Sequence, residues 1–422
     1  MFWEQDVKVA VETHVGLRRK NNEDSSCFQL CKEEEEWRRR GHLFVVADGM
    51  GGHAVGELAS RIAVETLPHT FFKATEKDVR STLLEAVTAA NSAIYQRGST
   101  NEDFLNMGTT CTSLTLCQRG AILAHVGDSR AYRVRRDRID QLTFDHSLEW
   151  ELERRNQSLI GVVDMSKHRN IITRSLGPEG EVEIDIEGPH PVIPGDTFVL
   201  CSDGLSNQVK DEEIGAVVRE LSVDRAAKLL IHLANIRGGP DNSTVIVARV
   251  GDLPANIQPV FVEEETDDRL ELDWSWFIGF SIAALACVLG IWMLMFEHPV
   301  KGSVLTALSL ISFVAMGIAA FRKQRKLRKR YELDDAETKF LRPHRTAVCL
   351  DSKGLYERLI RIEGELRRAA REDGWSVNWN KHQESIEQAQ QAHTEKRYSR
   401  GTRNLANAIG ELMDHHPVPS SK

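Results

Sequence analysis

Apolar and polar residues change period along the chain, and each change marks an element. Short apolar or alternating runs over 7–12, 26–31, 43–47, 111–117, 121–126, 131–134, 197–202 and 243–250 predict β-strands. Residues 111–116, Cys-Thr-Ser-Leu-Thr-Leu, partly alternate as a half-buried strand does. Helical spacing predicts helices over 56–73, 79–95, 147–155, 211–220 and 222–235. In the second of these, Leu83, Leu84, Val87, Ala90 and Ile94 recur at helical spacing. Strands grouped with strands, and helices in pairs, predict an α+β fold of antiparallel sheets flanked by helices. The run 32–41 carries Glu33 to Glu36 and then Arg38 to Arg40, and reads as a solvated hairpin loop.

Beyond residue 251 the pattern changes. Residues 252–273 are acidic and interrupted by proline, a tether by composition. Residues 274–296 and 302–321 hold no charged side chain, and each is long enough to cross a hydrocarbon core of about 30 Å. Residues 297–301 separate them, which predicts a two-helix transmembrane hairpin over 274–321. Gly279, Ala283, Ala286 and Gly290 suit close helix contact, and Trp274, Trp276 and Trp292 suit interfacial positions. The alternative is a buried helical hairpin of a soluble domain. A basic flank over 322–330 follows, with seven Lys and Arg. The bias of Lys and Arg towards the cytoplasm then predicts a multi-pass protein of the cytoplasmic (inner) membrane with two spans and both termini cytoplasmic. The flank could also meet anionic membrane lipids, or serve only as a stop-transfer signal.

Residues 331–422 read as a helical C-terminal region. Leu355, Leu359, Ile362, Leu366 and Ala369 repeat at helical spacing, and Gly374 ends that segment. Residues 380–395 and 398–414 look like a helical pair, either part of a small bundle or one tetratricopeptide-like unit. Either form could dock a partner or regulate the region before residue 252.

Length and charge narrow the chemistry. The 422 residues allow two or three units. A net charge of −8 gives no case for nucleic-acid binding by the whole chain. Seven scattered cysteines lack Cys-x-x-Cys spacing, which argues against zinc and against disulfide partners, and suits reduced thiols in the cytosol. No secretory signal opens the sequence.

The candidate chemistry lies in four tight turns. Asp24 sits in Asn-Asn-Glu-Asp, Asp48 in Asp-Gly-Met-Gly-Gly-His, Asp203 in Ser-Asp-Gly-Leu and Asp241 in Gly-Gly-Pro-Asp-Asn-Ser. The last three adjoin the apolar runs 43–47, 198–201 and 245–250. Carboxylates at strand ends can converge from distant parts of a chain. An all-oxygen cluster suits hard divalent ions such as Mg²⁺ or Mn²⁺. A pair of them activates water and stabilises both ends of an in-line phosphoryl displacement.

The wording and order of the motifs go further. The run 16–25, Gly-Leu-Arg-Arg-Lys-Asn-Asn-Glu-Asp-Ser, is followed by Val-Val-Ala-Asp-Gly-Met-Gly-Gly-His (45–53) and Gly-Glu-Leu-Ala-Ser (56–60). Then come Gly-Thr-Thr (108–110), Val-Gly-Asp-Ser-Arg (126–130), Asp-His-Ser-Leu (145–148), Arg-Ser-Leu-Gly (174–177), Cys-Ser-Asp-Gly-Leu (201–205) and Asp241-Asn242. Over residues 6–250 the chain resembles the metal-dependent (type 2C) serine/threonine protein phosphatases in their bacterial form. The resemblance implies an α-β-β-α sandwich over 1–251, with residues 149–172 as the variable flap beside the cleft. It implies two Mn²⁺ or Mg²⁺ ions and hydrolysis of phosphoserine and phosphothreonine by a water activated between them. The implied partners are phosphorylated proteins, with a serine/threonine kinase and its substrates on the opposing side.

The resemblance also assigns roles. Asp48 would bridge the two ions, and Gly49 would offer its carbonyl. Asp203 and Asp241 would complete the first ion's shell. Glu23 and Asp24 would act through bound water. Arg19 would bind the substrate phosphate, and the alternative for it is a solvated arginine beside Arg18 and Lys20. Asp128 resembles the ligand of a weaker third ion, while its structural alternative is to fix a strand turn and pair with Arg130. Asn207 stands where many relatives carry an acid. His53 reads as structural, because the family's histidine position, two residues after the bridging aspartate, is Met50 here. His146 reads as a loop-packing residue. Two other functions stay open, a phosphate-sensing adaptor on the same fold and a small-molecule phosphatase. Since every catalytic motif precedes Asp252, residues 1–255 are expected to fold and turn over alone.

Overall fold

The computed structural model describes residues 7–52, 54–74, 78–154, 171–251, 274–295, 300–310, 312 and 343–416. The first strands and helices follow the alternation of the sequence: β1 (Val7–His14), β2 (Asp24–Gln29), α1 (Glu34–Arg40), β3 (His42–Met50), α2 (Ala54–Lys73) and α3 (Val79–Ser99). Asp78 caps α3 by accepting from the amides of Arg80 and Ser81, worth about 1 kcal/mol. A strand-rich stretch follows, with β4 (Gly108–Thr109), β5 (Cys111–Cys117), β6 (Gly120–Val126), β7 (Arg130–Arg135), β8 (Arg138–Gln141), α4 (Leu148–Arg154), β9 (Asp185–His190) and β10 (Thr197–Cys201). Then come α5 (Asp203–Ser206), α6 (Asp211–Glu220), α7 (Val223–Ile236) and β11 (Ser243–Val250).

Two antiparallel sheets form. One runs β2-β3-β5-β6-β9, with β4 paired to β3. The other runs β1-β11-β10-β7-β8 and ends on β12 (Arg345–Val348), a strand from the far end of the chain. Period-two alternation builds the layers. In β3, Phe44 and Val46 join Phe198, Leu200, Ile246 and Ala248 between the sheets. Leu43, Val45 and Ala47 face the opposite way, onto α2 and α3. In β10 and β11, Val199, Cys201, Val245 and Val247 face outward onto α6 and α7. Each Val, Leu, Ile or Phe among them contributes roughly 1.5–3 kcal/mol by burial. The α-β-β-α sandwich expected from the sequence is therefore present.

Contacts divide the chain into two compact units. One joins 1–253 to 341–422, and the other is 254–340. The C-terminal helices, α9 (Ser352–Glu372), α10 (Trp379–Thr394) and α11 (Tyr398–Met413), thus belong with the sandwich. Leu355, Leu359, Ile386, Leu405 and Ile409 share one buried cluster with Ile214, Val217, Leu230 and Leu233 of α6 and α7. A hydrogen bond from the Leu350 amide to the Glu212 carbonyl (3.0 Å) ties the same layers, as does Ser352 Oγ to Glu220 (2.6 Å).

Two expectations are corrected. The run 32–41 is not a hairpin loop. It folds as α1, with Trp37 and Arg40 buried. Its acids occupy the first turn and its arginines the last, as the helix dipole favours, and Arg38 pairs with Glu34 at 2.5 Å. Arg40 donates to the Ala74 carbonyl. The second correction concerns the membrane. In the smaller unit, α8 (Trp274–Met295) is helical and so is the stretch 300–310. A Cβ on Gly290 would lie 2.5 Å from Thr306 Oγ1, so the two approach closely. Among the described residues, however, no helix is long and apolar enough to cross a membrane. The transmembrane hairpin, the inner-membrane placement and the lipid contacts are withdrawn. The tether at 252–273 and the basic flank at 322–330 lie outside the described residues.

Candidate active site

Strand ends bring the distant aspartates together. β2 pairs with β3 in a register that sets Asp24 opposite Asp48. β10 ends at Cys201, two residues before Asp203, and α5 starts on Asp203 itself. Beside β10, β11 begins two residues after Asp241. β6 ends two residues before Asp128.

Backbone and side-chain hydrogen bonds fix this frame. The Asp48 amide donates to Thr110 Oγ1 (2.9 Å), and the Asp48 carbonyl accepts from Thr110 N and Thr109 Oγ1 (2.9 Å each). Ser202 Oγ donates to Asp24 Oδ2 at 2.7 Å and accepts from Thr244 N at 2.9 Å, which links the two sheets through a carboxylate. Asn242 accepts from Glu23 N (2.8 Å) and donates to the carbonyls of Val15 and Asn21 (2.9 Å each). It staples the loop that carries Arg19 and Glu23 to the start of β11. Close approach explains the glycine of the Asp-Gly turn. A Cβ on Gly49 would meet Gly56 O at 2.1 Å. The sequence placed Asn242 and Thr110 within motifs but gave neither a task; only the geometry does.

The electrostatics are those of one like-charged cluster. Burial first, and then Asp203 and Asp241, push Asp24 up to about 7. Burial, Asp203 and Asp145 push Asp128 up to about 8. Burial and Asp241 push Asp203 up to about 6. Asp48 rises well above the ordinary carboxylate value, through burial and then through Asp24, Asp203, Asp128 and Asp241. Asp48 and Asp203 keep partial access to solvent although protein surrounds them almost completely. One oxygen of Asp24 and one of Asp128 are buried without any hydrogen-bond partner.

Negative charge outweighs positive in this cluster, where Arg19 meets only Asp241, and its donors are all oxygen. Such a set fits hard divalent ions. Among the described residues no group of three or more His, Cys, Asp or Glu side chains stands arranged to hold a metal ion by itself. An open set of carboxylates is nevertheless compatible with ions that keep several waters in their shell, as Mg²⁺ does. The unpartnered oxygens and the mutual repulsion favour that reading over a purely structural cluster.

The remaining candidates fall around this centre. Arg19 Nη2 lies 2.8 Å from Asp241 Oδ2, with half of its side chain exposed. Asn207 donates to Asp203 Oδ2 at 3.0 Å. Arg130 does not pair with Asp128; its guanidinium is held by Asp145 at 2.7–2.8 Å. His146 is enclosed, 3.1 Å from Asp185 Oδ2 and accepting from the Gly127 amide. Next to it, Trp150 at the start of the flap lies under the guanidiniums of Arg345 (4.2 Å) and Arg130 (5.7 Å). His53 and flap residues 155–170 lie outside the described residues.

Comparison with known proteins decides the family. Residues 23–233 match the family model described as protein phosphatase 2C. The chain belongs to the protein phosphatase 2C family. It is a metal-dependent serine/threonine protein phosphatase of that type, and the family works with Mn²⁺ or Mg²⁺. A protein phosphatase 2C-type protein of Streptococcus pyogenes is 37% identical over 243 residues, covering 57% of this chain and 96% of that relative. The serine/threonine phosphatase stp of Listeria innocua is 35% identical over 245 residues, covering 56% and 92%. Among solved structures, the S. agalactiae serine/threonine phosphatase aligns at a TM-score of 0.52 and 36% identity, covering 58% of this chain and 99% of its own. The Mycobacterium tuberculosis phosphatase PstP aligns at 0.51 and 35%, covering 58% and 99%.

Proposed function

We propose that this phosphatase uses Asp48, the Gly49 carbonyl, Asp203 and Asp241 to hold two ions, with Glu23 and Asp24 acting through water and Asp128 reserved for a weaker third. The observation that carries this assignment is the set of carboxylates that raise one another while two of their buried oxygens have no partner. When bound, the two ions acidify water and neutralise charge on the phosphoryl oxygens.

The chain's own residues supply positioning. Arg19 receives the substrate phosphate, because its fork matches two phosphate oxygens and its half-exposed side chain can turn from Asp241 to a ligand. Ser202 orients Asp24, and Thr109 with Thr110 locks the backbone of Asp48, so the carboxylates need little rearrangement during turnover. The substrates in this reading are phosphoserine and phosphothreonine on proteins, set there by a serine/threonine kinase that this phosphatase opposes.

The test uses the full chain with a phosphothreonine peptide and a sugar phosphate, in Mn²⁺ and in excess chelator. Mn²⁺-dependent hydrolysis of the peptide is expected. Undiminished turnover in chelator would remove the ion assignment, and faster cleavage of the sugar phosphate would remove the protein substrate.

A further inference from the structure

The two turns that carry Asp203 and Asp241 are joined by a hydrogen-bonded pair that no motif contains. Arg237 caps α7, four residues before Asp241. Its Nη1 donates to the Gln208 carbonyl at 2.8 Å. Gln208 directly follows Asn207, whose side chain donates to Asp203. Its Nη2 reaches both oxygens of Glu213, at 2.8 and 2.7 Å. One guanidinium therefore spans from the end of α7 to the chain just past α5. The loop after Arg237 is tightly coupled to the rest of the centre. Gly239 N bonds Ala234 O, and Gly239 O accepts from Leu17 N at 2.8 Å, in the loop that carries Arg19.

Glu213 is fully buried on α6, and a carboxylate there needs cationic partners. Arg237 supplies one. The second is Arg358 of α9, whose Nη1 lies 3.3 Å from Glu213 Oε2. It comes from the C-terminal helices, which the S. pyogenes relative, spanned to 96% by a match of 243 residues, has no length to hold. The same seam is closed by Lys228–Asp414 (2.7 Å) and by Arg219 Nη2 donating to the Leu350 carbonyl (2.8 Å).

We propose that Glu213 and Arg237 are positioning residues for the Asp203 and Asp241 turns, and that Arg358 lets the docked C-terminal helices set how well those turns hold metal. This rests on the assignment of Asp203 and Asp241 as ion ligands. A shift of Arg358 redistributes the two oxygens of Glu213, Arg237 follows Glu213, and both turns follow Arg237.

The experiment measures Mn²⁺ affinity by titration calorimetry on the full chain, with thermal midpoints and peptide kinetics alongside. Glu213→Gln should weaken Mn²⁺ binding about 10-fold. Arg358→Ala should weaken it about 3-fold, and Arg358→Lys should recover part of the loss. KM for the peptide at saturating Mn²⁺ should not change. A merely structural Arg358 would lower the thermal midpoint and leave Mn²⁺ affinity where it was, and that result overturns the proposal even if Glu213→Gln fails to fold. Asp203→Asn is the control. If it leaves Mn²⁺ affinity unchanged, the ion assignment falls and the proposal with it; if it weakens binding while Arg358→Ala does not, the proposal alone falls.

Discussion

Asp203 and Glu213 stand ten residues apart and lie in opposite electrostatic surroundings. Around Asp203 the neighbours are Asp48, Asp24 and Asp241, and the main relief is hydrogen bonding and distant guanidinium charge. Around Glu213 the neighbours are Arg237 and Arg358. The first region is arranged against its own stability and waits for cations from outside. The second supplies its cations from the chain. Under the proposed assignment, side chains of one charge type bind ions where they are left unneutralised and serve cohesion where they are paired.

Breaking the first region should cost turnover and return stability. Asp48→Asn should lower peptide hydrolysis on the order of 10³-fold, because an amide cannot bring the same charge to two cations. The metal-free variant should unfold at a higher temperature than metal-free wild type, since one member of a repelling set is gone. A lower midpoint in chelator would show that the cluster is not repulsive. Breaking the second region should do the reverse. Glu213→Ala should destabilise the fold by about 2–3 kcal/mol, less than a fully enclosed pair because both guanidiniums reach solvent. Denaturant melts would read this directly, and an unchanged midpoint would sink the contrast.

Arg19 tests the border between the regions. It pairs with Asp241 of the cluster, yet half of its side chain is exposed. Arg19→Ala should raise KM about 10-fold, with a smaller change in kcat, since it removes charged hydrogen bonds to phosphate. A pure kcat loss would place it in metal positioning instead. The smallest effect is in pH. Asp128 is raised in the folded state, so its contribution to stability is full below the ordinary carboxylate value and is lost as pH rises through about 8. In chelator the melting temperature of Asp128→Asn should gain steadily on that of wild type as pH rises from 5 to 8.5, by about 2–4 °C for each kcal/mol of linkage. Parallel melting curves from pH 5 to 8.5 would show that Asp128 carries no such linkage.

Much of the first region was legible because each of its parts is local. An apolar run followed by Asp-Gly announces both a strand and its reactive end, as at Asp48 and Asp203. Antiparallel sheets flanked by helices followed from grouped strands and paired helices, and the resemblance to the type 2C phosphatases supplied the α-β-β-α layering. The second region was not legible, for three physical reasons. Glu213 looks like the third acid of a helix start, after Asp211 and Glu212, and only burial distinguishes it. Arg358 looks like a solvent-facing arginine in a charged helix. β12 is a short edge strand, Arg-Thr-Ala-Val, whose partner β8 lies some 200 residues earlier, and polar edge strands carry little hydrophobic signal. The uncharged stretches 274–296 and 302–321 misled in the opposite sense, because composition alone was read as a span.

The late position of the covering helices also bears on how the protein is made. α7 ends at Ile236, and α11, which shares its buried cluster, begins at Tyr398. A ribosome adding about 5–20 residues per second needs roughly 8–32 s to cross that gap. Until α9 starts at Ser352 the outward side chains of α6 and α7 lack this cover, and it is complete only with α11. A nascent chain in that interval is a natural client for a chaperone, and yields of full-length protein should depend on chaperone supply more than on the strength of the catalytic core.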